Sequence, residues 1–254
     1  MHNYYLVAVG GGQIVDKTGK DRDDLVPAAG LKLPKVEPGD QGPGRGEQTF
    51  LTFVEQAPGA IELQITGGLI AHYRDRGNVR VELWKIGGAS QTGQRETLVD
   101  EDRSVPPDGK ERTVKLKANQ TGLHKIVVRD GSDRTRVSWP AGQRTTVPSS
   151  VAAPMNKNHG SWMLYFYVPK GTRVIGLHGG RHGEVRDSAG RPVFWLNGRE
   201  PNYFSVAVPE GQDGKLWQIR YGRGPIRLLT VPPYFARTAA ELLLPKEVVD
   251  ADRK

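Results

Sequence analysis

Short stretches of alternating apolar and polar residues, each stopped by Gly, Pro, Asp or Asn, run through almost the whole of this 254-residue chain. Alternation with a period of two puts every second side chain on one face of a strand. Stops of that kind form turns. Beginning with Tyr4 to Val9, candidate strands follow at 50–55, 60–66, 68–73, 79–86, 112–118, 122–129 and 133–139. A second series covers 161–168, 172–177, 183–187, 192–196, 203–208, 215–221 and 226–231. About seven strands in roughly a hundred residues is the rhythm of a sandwich. The expected fold is therefore all-β, two consecutive antiparallel β-sandwich (jelly-roll-like) domains with one short C-terminal helix.

The Pro- and Ser-rich stretch Pro148 to Pro154 reads as the linker, giving one domain over 1–150, with an N-terminal strand and a turn-rich segment, and another over 151–254. The helix is expected where Thr238-Ala239-Ala240-Glu241 forms a capping box before Leu242-Leu243-Leu244, with Pro245 as its stop. A weak internal repeat supports the division. Val114 and Val206, Gly122 and Gly214, and Pro140 and Pro232 each stand 92 residues apart.

Composition narrows the function classes. At 37% hydrophobic residues the chain can build cores. With no Cys it has neither disulfides nor a thiolate metal site. The 36 Lys and Arg exceed the 28 Asp and Glu by 8, spread along the chain without a block of like charge. Such a surface aids solubility or meets an acidic glycan or anionic cell surface. No nucleic-acid-binding motif is present. The apolar run Tyr4 to Val9 is too short for a secretory core or a membrane span. An extracellular or periplasmic location is expected, with any signal outside this chain.

Phase assigns faces. In the segment 79–86, residues 79, 81 and 83 face inward, which leaves Arg80 and Trp84 outward. In 162–168, Trp162, Leu164, Phe166 and Val168 face inward, with Tyr165 and Tyr167 on the other side. Tyr203 is out of phase with Phe204, Val206 and Val208. Outward rings can stack on sugar C–H faces, lie in an interdomain contact or be covered by a loop. Arg134 and Arg136 alternate outward on one hairpin, where guanidinium forks suit carboxylate or sulfate groups. Trp139 and Trp217 fall on apolar phases and are expected in the core.

Two clusters have metal-ligand chemistry. Asp16, Asp21 and Asp23 surround a glycine turn and supply the oxygen ligands Ca²⁺ takes, although not at EF-hand spacing. His178, His182 and Glu184 stand within seven residues of a glycine-rich turn, beside the opposing charge of Arg181. No cofactor other than Ca²⁺ is indicated. Catalytic constellations are weaker. Asp100-Glu101-Asp102 are neighbours on a loop, whereas glycosidase carboxylates must face each other across a cleft. His72, Tyr73 and Arg74 have the residue types of a uronate lyase but alternate across a strand.

The stretches Gly122 to Pro140, Leu164 to Thr172 and Val208 to Trp217 resemble the strand-and-turn units of bacterial pre-peptidase-type β-sandwich accessory modules. The resemblance spans residues 110–245 and rests on strands and turns. It implies a jelly-roll-like accessory fold attached to a secreted carbohydrate-active enzyme or peptidase. The expected function is a non-catalytic module whose partner is a polysaccharide or the catalytic domain of the same polypeptide. A structural or assembly sandwich, and a jelly-roll lyase or hydrolase, are the alternatives.

Overall fold

The computed structural model describes residues 24–87, 96–151, 153–198 and 200–253, together with the backbone of 7–9 and 13–15. The small strands β1 (Val7–Val9) and β2 (Gln13–Val15) form a hairpin, and β3 (Leu25–Pro27) and β4 (Gly44–Arg45) follow. The first sandwich is made from β5 (Gln48–Val54), β6 (Gly59–Thr66), β7 (Val79–Ile86), β8 (Glu96–Val105), β9 (Glu111–Ala118), β10 (Gly122–Arg129), β11 (Arg134–Ser138) and β12 (Thr145–Pro148). The second is made from β13 (Trp162–Val168), β14 (Val174–Gly179), β15 (His182–Arg186), β16 (Pro192–Asn197), β17 (Asn202–Ala207), β18 (Lys215–Arg223) and β19 (Ile226–Leu228). The chain ends with β20 (Tyr234–Phe235), β21 (Leu243–Pro245) and the single α-helix α1 (Lys246–Asp252).

The two sandwiches share one strand order. In the first, β5-β10-β7-β8 forms one sheet and β11-β6-β9 the other. In the second, the sheets are β13-β18-β15-β16 and β19-β14-β17. Adding eight to each strand number converts one into the other, and all pairings are antiparallel. The repeated residues follow this order. Val206 stands in β17 as Val114 stands in β9, and Gly214 precedes β18 as Gly122 opens β10.

Side-chain phase explains the packing. Val79, Val81 and Leu83 of β7 are buried against Ile61, Leu63 and Ile65 of β6 within one core cluster. Trp162, Leu164, Phe166 and Val168 are buried as their parity requires, and so are Trp139 and Trp217. Each fully buried side chain of this size contributes about 1.5–3 kcal/mol relative to exposure. The core is continuous between the halves. Phe235 of β20, a strand paired with β12, packs edge-on to Trp162 at 5.6 Å and Phe166 at 5.8 Å.

Four expectations from the sequence are corrected. Residues 71–76 form a 3₁₀ turn instead of the end of a strand, entered after Gly68 at φ +73° and closed by the Tyr73 amide donating to the Ile70 carbonyl. The polar stretch 96–105 is the edge strand β8, not a loop, and Asp100, Glu101 and Asp102 lie on it. Charged side chains keep such an edge from pairing with another chain. The helix starts after Pro245 instead of ending there, because proline's fixed φ suits a helix entrance. Glu241 does not cap it; its carboxylate is buried with Trp139 Nε1 and Arg237.

The fourth correction concerns Tyr165 and Tyr167. Both sit on the outer face of β13, yet they are 9% and 1% exposed. Leu25 and Leu31 from the N-terminal side, and Leu242 to Leu244, Val248 and Val249 from the C-terminal side, form a second apolar cluster over that face. The Tyr165 hydroxyl donates to the Glu37 carbonyl at 3.1 Å, and the Tyr167 hydroxyl donates to Asp252 Oδ2 at 2.9 Å. Neither ring is available to a ligand.

Candidate functional site

The glycine-rich turn from His178 to His182 is not a hairpin. His178 is the last residue but one of β14 in one sheet of the second sandwich, and His182 opens β15 in the other. The chain crosses between sheets through Gly179 at φ +99° and Gly180 at φ +66°, a region favourable to glycine. A Cβ on Gly179 would lie 2.5 Å from the Pro225 carbonyl oxygen. The turn is therefore pressed against the 223–227 connection.

Each sheet delivers one cross-strand row to this end. In the first, His178 pairs with Tyr203 on one side and Arg227 on the other. The His178 and Tyr203 ring centres are 4.5 Å apart, and Arg227 Nη1 lies 3.0 Å from His178 Nδ1. In the second, His182 pairs with Asn197 and Arg223. The Trp195 ring, two residues along β16, meets His182 edge-on at 5.1 Å. Among the described residues, the large exposed aromatics are Tyr203 at 53%, Trp195 at 46% and Tyr221 at 46%, all in this sandwich. Two of them rest on the histidines of the turn.

From these rows His178, His182, Arg223 and Arg227 line one wall of a cleft of about 1350 Å³, and Tyr203 and Trp195 stand outside its lining. The opposite wall comes from the first sandwich and the connection between the two: Arg45, Gly46, Glu47 and Ser132, then Lys157 to Gly160. The lining holds five cations, Arg45, Lys157, Arg181, Arg223 and Arg227, and one carboxylate, Glu47. Glu47 is bonded to Arg129 at 2.9 Å, and Arg181 faces Glu200 at 3.5 Å. Among the described residues, the other four cations have no carboxylate partner.

The cationic surroundings act on the histidines. Burial, and then the charge of Arg227, hold His178 below the ordinary imidazole pKa. Burial, then Arg134 and Arg45, do the same for His159. Because a guanidinium can only donate, Nδ1 of His178 accepts from Arg227 and the ring proton sits on Nε2. The Asn158 side chain is buried, its Nδ2 donating to the Gln41 carbonyl at 2.5 Å, and its Oδ1 has no partner among the described residues.

The residues singled out in sequence fall in several places. His178 and His182 line the cleft together, and Tyr203 lies against His178 outside the lining. Glu184 does not join the histidines as a metal ligand, because both its oxygens are held by Arg186, at 2.9 and 3.1 Å. Among the described residues no group of three or more His, Cys, Asp or Glu could hold a metal ion. Asp16, Asp21 and Asp23 lie outside the described residues. Arg134 stands behind His159, with its Nε buried and unpartnered, while Arg136 is paired with Asp40 at 3.1 Å.

Arg80 and Trp84 do share the outward face of β7, but away from the cleft lining. Arg80 is paired with Glu82 at 2.6 Å and Glu101 at 2.7 Å, and Trp84 Nε1 donates to Glu82 at 3.0 Å. Burial works against the charge on Glu82, yet the Arg129 hydrogen bond, then Trp84 and the charges of Arg129 and Arg80, keep its pKa below the usual carboxylate range. Of the residues with lyase chemistry, Tyr73 is stacked under Arg76 at 3.7 Å. Trp195, Arg45, Lys157, Arg223 and Arg227 were not singled out in sequence. Trp195 could have been found by parity, since inward Leu196 forces its neighbour outward.

No protein-family model matches the chain, and no curated protein matches it. Among solved structures, the tandem CBM51 modules of a family 98 glycoside hydrolase from Streptococcus pneumoniae are similar at a TM-score of 0.22 and 8% identity, covering 78% of this chain and 79% of that one. At that level the likeness transfers neither residues nor ligand.

Proposed function

We propose that this protein is a non-catalytic carbohydrate-binding module, an accessory part of a larger extracellular bacterial protein, with 1–150 and 151–254 as its two domains. The observation that carries the reading is a pair of exposed rings, Tyr203 and Trp195, set against His178 and His182, the two histidines that line the cleft. Exposed rings take the flat C–H face of a sugar, while polar neighbours bond its hydroxyls.

A lyase fits less well. Proton abstraction needs a free basic nitrogen; the lone pair of His178 already accepts from Arg227, which leaves His159 and His182 as the bases the lining offers. Hydrolysis needs two opposed carboxyl groups. Glu47, Glu184 and Glu200 are each engaged by an arginine.

The test is affinity electrophoresis through neutral and acidic polysaccharides with wild type, Tyr203→Ala and Trp195→Ala. Retention by at least one polysaccharide, weakened about tenfold in each variant with folding intact, is expected, as a lost stacking contact of about 1.4 kcal/mol implies. Retention by none, or release of unsaturated uronate product by the wild type, contradicts the reading.

A further inference from the structure

We infer that the carbohydrate held in this cleft is acidic, carrying uronate carboxylates or sulfates, and that the cleft recognises it through Arg45, Lys157, Arg223 and Arg227. The inference rests on the binding reading above and adds the class of ligand.

The first argument is charge. Several arginines elsewhere on this surface are neutralised by neighbours: Arg80 and Arg103 by Glu101, Arg112 by Asp108, Arg191 by Asp187. In the cleft four cations converge and, among the described residues, none of them has a carboxylate partner. Arg45 is held by the Ser132 carbonyl at 3.0 Å and lies 5.3 Å from the Tyr73 ring, contacts that fix its position and leave its charge uncompensated. Arg227 is held by the neutral ring of His178, and its Nε is buried without a partner. Two arginines positioned by neutral groups, facing each other's wall across one cleft, make a preorganised anion site. Guanidinium forks match carboxylate and sulfate oxygens in a way a lone ammonium does not.

The second argument separates a glycan from a nucleic acid, which has the same charge. Duplex DNA keeps its base faces stacked, whereas sugar C–H faces are open to the exposed rings Tyr203 and Trp195 that lie against the cleft histidines.

The experiment is affinity electrophoresis and microscale thermophoresis of the full chain against matched probes: polygalacturonate beside its methyl-esterified form, dextran sulfate beside dextran, and duplex DNA. Variants are Arg223→Gln, Lys157→Gln and Arg227→Gln, with circular dichroism to confirm folding. Retention by polygalacturonate or dextran sulfate is expected, lost by about tenfold or more on esterification or desulfation. It is expected to weaken severalfold in Arg223→Gln and Lys157→Gln, whose side chains make no hydrogen bond or ion pair among the described residues, and to fall steeply with added salt.

Equal retention of the neutral and charged forms overturns the acidic assignment and leaves the carbohydrate reading standing. No retention of any polysaccharide overturns both. DNA bound as tightly as the acidic glycans overturns the choice of glycan. Acidic retention unchanged in all three variants overturns the cleft as its site.

Discussion

Arg227 donates through Nη1 to Nδ1 of His178 across 3.0 Å, and this contact holds the imidazole neutral with its proton on Nε2. Protonating Nδ1 would set two N–H groups against each other. The pair thus joins a fixed positive charge to a hydrogen-bond donor, and both are presented beside Tyr203.

That arrangement sets a pH dependence. His178 faces Arg227 from β19 and Tyr203 from β17, and His159 lies near Arg45 of β4 and Arg134 of β11. His124, fully buried in β10, is lowered by burial and then by Lys85 of β7, although its hydrogen bond to the Gly122 carbonyl acts the other way. For all three the folded pKa lies below the ordinary 6.5. As pH falls from 7 through 6.5, the unfolded chain takes up protons before the folded one, so stability falls with pH in that window. The melting temperature is expected to drop by a few degrees between pH 7 and pH 5. With polygalacturonate bound the drop is smaller, because an anion favours the charged imidazole. Scanning fluorimetry with and without the polymer checks both.

Gly179→Ala is expected to disable the cleft. The substituted residue would sit at φ +99° with its Cβ 2.5 Å from the Pro225 carbonyl oxygen. Strain of that kind is worth about 1–3 kcal/mol and is relieved by moving the turn away from 223–227. Chemical denaturation should register the loss of stability, and glycan retention should fall with it.

The covered face of β13 makes a separate expectation. Asp252 accepts from the Tyr167 hydroxyl and from the Lys170 amide, both at 2.9 Å. Burial, then the Asp252 charge, pushes the Tyr167 pKa up. Asp252→Ala leaves both donors unsatisfied and should cost about 1–3 kcal/mol in urea unfolding. In the wild type, tetranitromethane should modify Tyr203 and Tyr221 long before Tyr165 or Tyr167, as peptide mass mapping would read.

Phe166 lies against Phe235 and Trp217, the contacts that tie the second core to β20. Phe166→Ala is expected to lower stability by about 3–5 kcal/mol. One unfolding transition, shifted as a whole, is expected from the continuous core. Two separated transitions would contradict that continuity.

Much of the fold could be read in the sequence because alternation is local. Parity placed Val81, Leu83, Leu164 and Phe166 in the core without further information. The edge strand β8 was missed because charge, not alternation, is what protects an edge. Parity turns Tyr165 and Tyr167 outward correctly, but it cannot show that they are covered, since the segments over them lie far off at 25–31 and 242–249. The histidine turn was visible, but its arginines were not. Arg45, Arg223 and Arg227 meet only after a sheet crossing and the apposition of two sandwiches, and no local pattern encodes that.

The most direct measurement is an amide chemical-shift titration of the isotope-labelled protein with a short oligogalacturonate. The largest shifts are expected at 178–182, 223–227 and 157–160, saturating together with one dissociation constant. Shifts scattered over the surface, shifts centred on Trp84, or none at millimolar oligosaccharide would contradict the assignment of the cleft.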